Sequence, residues 1–156
     1  MTLLLILCCL SPGLAAPEAL PLSDLHHWSI VSPPSAIPSE RYAAEELQGF
    51  FRAACGVELP ILDTPATSRK NLFIGPGDAM QASSAAVSLD DLGEEDLRIR
   101  IRPDNIAIAG GRPRGTLYGV YEFAERYLGI RFLTFDHTHI PKMGTDATLP
   151  VEDYTY

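Results

Sequence analysis

The chain has 156 residues, of which 46% are hydrophobic and 21% charged, so its length and composition are those of one soluble globular domain. A (β/α) barrel needs about 250 residues, which excludes one in addition to such a domain. Acidic residues outnumber basic ones by 20 to 12, and the net charge of -8 disfavours a nucleic-acid partner, because phosphate binding draws on clustered Lys and Arg.

The N-terminal segment has the pattern of an export signal. Residues 3–10 form an unbroken apolar run, and small residues follow it before a cleavage point after Ala15. We therefore predict a signal peptide at 1–15, a secreted or periplasmic protein, and a short leader at 16–27. The run is too short to cross a bilayer, so no membrane span is expected. Cys55 then remains alone, and it is interpreted as a half-buried apolar residue rather than a nucleophile.

The predicted α/β domain covers residues 28–142 and begins with a strand at Trp28–Val31. A helix start follows at Pro38, with Ser39 as the cap and Glu40 favourable in the first turn. The apolar stripe of this helix is formed by Ala43, Leu47, Phe50, Phe51 and Ala54. Short strands are predicted next, at 59–62 and 72–74, and the acidic stretch 90–96 is interpreted as a solvated loop.

Apolar and basic side chains alternate along the next segment: Leu97, Arg98, Ile99, Arg100, Ile101 and Arg102. Alternation predicts a strand with all three arginines on one face, and the turn at 103–105 predicts a hairpin with a second strand at 106–108. The arginines form either a basic stripe or a solvated face paired with nearby acids. The second arrangement is typical of such charge patterns.

A long helix is predicted from 114 to 128, after a glycine break at Gly110 and Gly111. Pro113 suits the helix start and Gly129 its C-terminal cap, and a further strand completes a β-loop-α-β unit. Residues 143–156, in which the pattern dissolves, are predicted to be a linker or a truncated tail.

The same helix is more apolar than one sheet face usually covers. We therefore expect Tyr118, Phe123 and Tyr127 to contact a second layer or a neighbouring domain. An alternative is that these rings, with Tyr121, stack against sugars. Their helical spacing favours core and interface roles instead.

Residues 110–132 read GGRPRGTLYGVYEFAERYLGIRF, with Arg114, Gly115, Tyr118 and Gly119 forming the pattern Arg-Gly, two residues, Tyr-Gly. With two further blocks, 37–61 and 71–75, this segment resembles the non-catalytic N-terminal domain of α-glucuronidase-like and β-hexosaminidase-like glycoside hydrolases. The resemblance implies an α/β (α+β) fold like the second domain of β-hexosaminidases. A mixed sheet of about five to six strands with two main helices is expected. The four motif residues belong to the fold signature and not to the catalytic machinery.

The function follows from the same resemblance. In that family the domain precedes a (β/α) barrel that carries the catalytic carboxylates. The chain is therefore expected to be one part of a larger secreted glycosidase that degrades polysaccharide. The barrel that it braces is absent from the chain and is supplied in cis or in trans. The alternative is a free-standing carbohydrate-binding module that contacts polysaccharide directly.

A phosphate-loop interpretation is also weighed. Gly110 and Gly115 have the spacing of such a loop and Thr116 follows, but the lysine that reaches the phosphates is missing. A tight turn with close helix-sheet packing is the preferred interpretation. Arg112 and Arg114 then remain as basic groups that can meet an anion or an acid on a neighbouring domain.

No catalytic residue, metal or cofactor is predicted. His137 and His139 have the spacing of two ligands on one strand face, and His26 with His27 adds two imidazoles, but no zinc motif accompanies them. The acids at 94–96 are sequential, whereas a glycosidase pair must face each other across a sugar.

Overall fold

The computed structural model describes residues 19–144 and 146–156, so the predicted signal peptide at 1–15 lies outside the described residues. The helices are α1 (Pro38–Cys55), α2 (Asp78–Gln81) and α3 (Gly115–Tyr127), and a 3-10 helix covers Leu22–His27. The strands in chain order are β1 (Ala19–Pro21), β2 (Trp28–Val31), β3 (Ile61–Leu62), β4 (Lys70–Ile74), β5 (Leu97–Ile101), β6 (Asn105–Gly110), β7 (Arg131–Thr134), β8 (His137–His139), β9 (Thr148–Pro150) and β10 (Asp153–Thr155).

The main sheet has six strands in the order β10-β5-β6-β4-β2-β3. Strands β3, β2, β4 and β6 run parallel, whereas β5 is antiparallel to β6 and β10 is antiparallel to β5. The predicted mixed sheet with two main helices is therefore confirmed. Both edge strands are short, with two and three residues, which limits the edge that is open to pairing with another chain.

The two long helices cover one face of this sheet. Strand residues alternate between faces, so Leu72 and Ile74 join the core under α1 and α3, whereas Phe73 faces the opposite side. The predicted stripe of α1 is buried throughout, which confirms the helical spacing read from the sequence. On the opposite face, a smaller core includes Met80 of α2 and Val87 of the loop that follows it.

The start of α1 differs from the prediction. Ser39 does not cap the helix, because its hydroxyl donates a hydrogen bond of 2.6 Å to the carbonyl oxygen of Pro113. The buried Glu40 performs that role instead, since its Oε2 accepts a hydrogen bond of 2.9 Å from the backbone N–H of Ile37. The helix ends at Cys55 and is capped by Gly56, whose φ of 73° is the left-handed conformation that favours glycine.

Both ends of the described chain belong to the domain. Strand β1 pairs antiparallel with β9, and Leu20, Leu22 and Leu25 are at most 6% exposed in the main core. Strand β10 extends the main sheet beside β5. The predictions of a leader at 16–27 and of a linker or tail at 143–156 were therefore wrong for the described residues, which are part of the folded domain. Strands of three residues are too short to give a recognisable alternating pattern.

The strand predicted after α3 exists but leaves the main sheet. Gly129 has a φ of 66°, and β7 then pairs antiparallel with β8 as a separate hairpin in which every residue is exposed. The β-loop-α-β unit is therefore completed outside the sheet. Among the described residues, no helix has the length and apolar character needed to cross a membrane.

Candidate domain interface

The motif glycines lie where α3 meets the sheet. A Cβ atom on Gly115 would lie 2.2 Å from the carbonyl oxygen of Asp96, and one on Gly119 would lie 2.8 Å from Cγ2 of Ile108. Both distances are shorter than real contacts allow. The Arg-Gly-x-x-Tyr-Gly pattern therefore includes two positions at which only a hydrogen fits between helix and sheet.

The glycine amides of the loop before α3 are hydrogen-bonded within the domain. The N–H of Gly110 donates to Thr116 Oγ1 at 3.1 Å, that of Gly111 to Asp96 O at 2.9 Å, and that of Gly115 to Gly111 O at 2.7 Å. Thr116 is itself buried. This hydrogen bonding supports a tight structural turn over a phosphate loop.

The two arginines of this loop have partners within the domain. Arg112 forms an ion pair with the buried Glu40, with Nε 2.9 Å from Oε1. The hydrogen bond to Glu40 raises the pKa of Arg112 above its usual value. Desolvation acts in the opposite direction but is outweighed. The Tyr118 side chain raises the pKa of the exposed Arg114, chiefly through a hydrogen bond. The backbone N–H of Tyr118 donates a hydrogen bond of 3.0 Å to the carbonyl oxygen of Arg114, so the motif arginine and tyrosine lie one turn apart.

Two of the three predicted interface rings are buried inside the domain, which corrects that part of the prediction. Phe123 is 0% and Tyr127 8% exposed, and their ring centroids lie 5.0 Å apart. The hydroxyl of Tyr127 donates a hydrogen bond of 2.7 Å to Oε1 of Glu152. Burial is the main cause of the raised pKa of Tyr127, and the hydrogen bond to Glu152 raises it further. The second layer expected for α3 is thus α1 and the C-terminal segment of the same chain, and only Tyr118 is partly exposed.

Most of the exposed large apolar side chains among the described residues lie instead on the β7–β8 hairpin and beside it. Phe135 is fully exposed and Phe132 is 36% exposed. We use the term aromatic surface for five residues: Tyr42, Phe50, Tyr121, Phe132 and Phe135. Four of these rings line a groove of about 550 Å³, together with Glu46 and Thr138.

The floor of the aromatic surface is fixed by specific contacts. The ring of Tyr121 meets that of Phe132 edge-on, with centroids 5.1 Å apart, and Phe50 lies 5.7 Å from Phe132. The hydroxyl of Tyr121 donates a hydrogen bond of 3.1 Å to Oε2 of Glu46. Burial, followed by the charge of Glu46, raises the pKa of Tyr121. A preformed aromatic floor loses little side-chain entropy when another surface covers it.

Sequence reasoning missed Phe132, Phe135 and Tyr42. The signal was present for two of them, because Phe132 and Phe135 are large apolar residues within a short segment that also contains Leu133. Phe132 lies on β7 and Phe135 in the turn that follows it. Tyr42 lies on α1 next to the predicted stripe and is 48% exposed. The main cause of the raised pKa of Tyr42 is the hydrogen bond that its hydroxyl donates to the Glu46 carboxylate.

The remaining candidate residues are dispersed. His26 and His27 lie in the 3-10 helix, whereas His137 and His139 lie on exposed β8. Within the described ranges, no group of three or more His, Cys, Asp or Glu side chains could hold a metal ion. The acids Glu94, Glu95 and Asp96 stay in a loop, where Asp96 Oδ2 accepts a hydrogen bond of 2.8 Å from the N–H of Gly93. Burial raises the pKa of the half-buried Cys55.

The arginine face of β5 is paired with acids, as predicted. Arg98 lies 2.8 Å from Asp91, and Arg100 and Arg102 lie 2.9 and 2.7 Å from the carboxylate of Asp153. The three side chains therefore form a local ion-pair network with their own loop and tail.

Comparison with known proteins agrees with this architecture. Residues 23–123 match the family described as glycosyl hydrolase family 67 N-terminus. The chain belongs to this family. Among curated proteins, none matches the sequence of this chain.

Solved structures share the fold of this family 67 N-terminal domain. An N-acetyl-β-hexosaminidase from Streptomyces plicatus matches 90% of the chain with a TM-score of 0.56 and 14% identity. A family 20 β-N-acetylhexosaminidase from Streptomyces coelicolor matches 90% with a TM-score of 0.54 and 14% identity. A family 115 4-O-methyl-α-glucuronidase matches 88% with a TM-score of 0.53 and 15% identity.

The family 67 N-terminal domain corresponds to only a part of these enzymes. It spans 23% of each hexosaminidase chain and 18% of the glucuronidase chain. Family membership and the shared fold together identify an accessory N-terminal domain of the kind found in multidomain glycoside hydrolases.

Proposed function

We propose that this domain braces the catalytic (β/α) barrel of a secreted, α-glucuronidase-like glycoside hydrolase that acts on polysaccharide, and that the aromatic surface is the contact. The exposed ring of Phe135 is the observation that carries the proposal. Family 67 membership supports the enzyme class, and the apolar run at 3–10 supports secretion.

The energetics favour coverage of this surface. An aromatic side chain that passes from water into an interface contributes about 2 kcal/mol through apolar burial. Phe132 packs on the floor formed by Phe50 and Tyr121, and the fully exposed Phe135 lines the same groove, so two such rings are available at one place. Aromatic residues at the centre of an interface commonly dominate its binding energy.

Polar side chains surround these rings. His137 and His139 are exposed on the neighbouring strand, and Arg131 holds the start of the hairpin through a hydrogen bond of 2.8 Å from Nη1 to the carbonyl oxygen of Glu125. An apolar centre with a polar rim is the usual anatomy of a protein interface. The surface thus fits another folded domain better than it fits a lipid phase.

The alternative of a carbohydrate-binding module was based on four aromatic rings of α3 as a platform for sugars, and the positions of these rings do not support it. Of the four rings considered for sugar stacking, Phe123 and Tyr127 are buried in the domain. Tyr118 and Tyr121 are partly buried, and the Tyr121 hydroxyl is already bonded to Glu46. These rings do not form one exposed flat face.

The proposal is tested by binding in trans to the separately expressed barrel of a family 67 α-glucuronidase. The double variant Phe132→Ser/Phe135→Ser is compared with Leu133→Ser, which changes an exposed residue of the same hairpin that does not line the groove. We expect the double variant to weaken association at least about tenfold, and Leu133→Ser to leave it within about twofold. Equal affinities for the wild type and the double variant would exclude the aromatic surface as the contact.

A further inference from the structure

The groove of the aromatic surface contains one carboxylate among its rings. Glu46 of α1 lines it together with Phe50, Tyr121, Phe132 and Phe135. The other side chains that line it among the described residues are neutral, and they are Thr134, Thr138 and Ile140. The groove therefore combines four aromatic rings with a single formal negative charge.

The basic side chains of the β7–β8 hairpin do not neutralise this charge. Arg131, His137 and His139 are exposed, and none of them lines the groove. Across the hairpin, Arg131 pairs with His139, whereas Phe132 pairs with Thr138 on the groove side. Because neighbouring strand residues point to opposite faces, the Arg131–His139 pair is turned away from the groove. The groove thus presents its negative charge to the surface that covers it.

Two tyrosine hydroxyls hold the Glu46 carboxylate in position. The hydroxyl of Tyr121 donates a hydrogen bond of 3.1 Å to Oε2 of Glu46, and the hydroxyl of Tyr42 donates to the same carboxylate. A carboxylate has about four acceptor sites, so these two neutral donors leave part of its capacity unused. Glu46 is therefore a fixed, half-buried acceptor that is open to a further donor.

Coverage of the groove makes a counter-ion necessary. A surface that packs on Phe132 and Phe135 also removes water from Glu46, which lines the same groove. A carboxylate that loses its hydration without gaining a charged partner opposes association, so buried charges in proteins are paired. The surface that covers the groove must therefore bring a cation to Glu46.

The arrangement of the rings favours a guanidinium. The rings of Tyr121 and Phe132 cross at 89° and those of Phe50 and Phe132 at 62°, so they do not form a flat platform for a sugar. Phe135 is fully exposed, which leaves the faces of its ring open. A guanidinium is planar, stacks on an aromatic face and donates hydrogen bonds from its edge. An ammonium is more strongly hydrated and does not stack in this way.

We propose that the groove of the aromatic surface receives an arginine side chain of the catalytic barrel, whose guanidinium stacks on Phe135 and donates hydrogen bonds to Glu46. This inference rests on the barrel contact proposed above and specifies the chemistry of the partner residue. Arginines that are desolvated against aromatic rings are among the residues that commonly dominate the affinity of an interface.

The preference for a guanidinium is tested first without the barrel. The ¹⁵N-labelled full chain is titrated with Nα-acetyl-L-arginine methylamide and followed by NMR. The matched control is Nα-acetyl-L-citrulline methylamide, in which a neutral urea group of nearly the same shape replaces the guanidinium. We expect the arginine probe to shift amide signals at 46, 121 and 132–138, with a dissociation constant on the order of 10 mM. The citrulline probe should bind at least about fivefold more weakly.

Two variants separate the role of the charge from that of the ring. Glu46→Gln keeps the shape of the side chain and one carbonyl acceptor, and it should weaken binding of the arginine probe about fivefold. Its control is Glu45→Gln, the same change of charge at an exposed residue of α1 that does not line the groove. Phe135→Leu keeps an apolar side chain at a fully exposed position but removes the ring face, so binding should weaken about twofold to fivefold.

Association with the separately expressed family 67 barrel separates this inference from the proposed function. Glu46→Gln should weaken association about tenfold at low salt and less at high salt, whereas Glu45→Gln should remain within about twofold of the wild type. If association depends on Phe132 and Phe135 but not on Glu46, the barrel contact stands and the arginine is excluded. Absence of association in the wild type would overturn the contact and its arginine together.

The titration can also overturn the inference by itself. Equal affinities for the arginine and citrulline probes would show that the groove does not select the positive charge. An unchanged affinity for the arginine probe in a folded Glu46→Gln variant would remove Glu46 from the site. If Glu46→Gln does not fold, Phe135→Leu decides, and an unchanged affinity in that variant would exclude stacking on Phe135.

Discussion

Arg112 and Glu40 hold each other through two hydrogen bonds, Nε to Oε1 at 2.9 Å and Nη2 to Oε2 at 3.1 Å, although they are 72 residues apart in the sequence. The Glu40 side chain is 1% exposed, whereas that of Arg112 is 46% exposed. Arg112 Nη2 also donates to the carbonyl oxygen of Ser35 at 3.3 Å. One guanidinium therefore joins the start of α1, the loop before it and the loop before α3.

We predict that Arg112→Ala lowers the free energy of unfolding by about 2 kcal/mol, because it leaves a buried carboxylate short of donors. Arg52→Ala is the control, since its ion pair with Glu58 is exposed on both sides and should contribute less than about 0.5 kcal/mol. Urea denaturation measures both. If Arg112→Ala had the same urea midpoint as the wild type, water would replace the arginine as a donor to Glu40 without loss of stability.

Gly115→Val is predicted to destabilise the domain more than Arg112→Ala does. The valine Cβ would overlap the backbone oxygen of Asp96, and the backbone there is held by the hydrogen bond from Gly111. We expect a loss of about 3 kcal/mol or more, at the upper end of overpacking effects. The same denaturation experiment decides the order of the two variants.

Within the motif, Gly115→Ala should be more harmful than Gly119→Ala. The added methyl group meets a backbone carbonyl at Gly115, whereas at Gly119 it meets a side-chain methyl of Ile108 that can move by rotation. The difference should be about 1 kcal/mol or more in the free energy of unfolding. Equal losses in the free energy of unfolding would mean that the sheet can shift to accommodate the added methyl group at both positions.

Asp153 should make the fold sensitive to acid. Its partial burial alone would raise its pKa, but the hydrogen bonds and charges of Arg100 and Arg102 outweigh burial and lower the pKa of Asp153 below its usual value. A group with a lowered folded pKa stabilises the fold above its unfolded pKa, and this contribution disappears as the pH falls through the folded value. We expect Asp153→Asn to flatten the decline in the urea midpoint below about pH 4. An unaltered pH profile in the variant would contradict this assignment.

Tyr127→Phe tests the attachment of the tail. The change removes the hydrogen bond to Glu152 but keeps the buried ring, so a loss of about 1 kcal/mol is expected. Tyr156→Phe serves as the control because its side chain is 76% exposed. Faster hydrogen exchange at β10 in Tyr127→Phe, and not in Tyr156→Phe, would locate the effect. Identical exchange in both variants would show that the hydrogen bond does not hold the tail.

The long periodic elements were predictable, and the long-range contacts were not. Helices α1 and α3 and the β5–β6 hairpin each repeat their pattern often enough to be recognised. Strands β1, β9 and β10 have three residues each, so their assignment depends on partners far along the chain.

The candidate functional surfaces were still harder to predict, because they are formed by residues that are far apart in the sequence. No local pattern pairs Arg112 with Glu40 or brings Phe132 onto the floor of Tyr121. The family motif was visible in the sequence, yet the reason for its glycines is a distance between two backbones.

The pairing of β10 with β5 also sets an order of events during synthesis. Arg100 and its partner Asp153 are 53 residues apart, so a ribosome needs roughly 3–10 s to make the second strand after the first. During that interval the outer edge of β5, with its alternating Leu97, Ile99 and Ile101, is open to another nascent chain. Residues 152–156 therefore protect this edge from misassembly only once β10 has been made and has paired with β5.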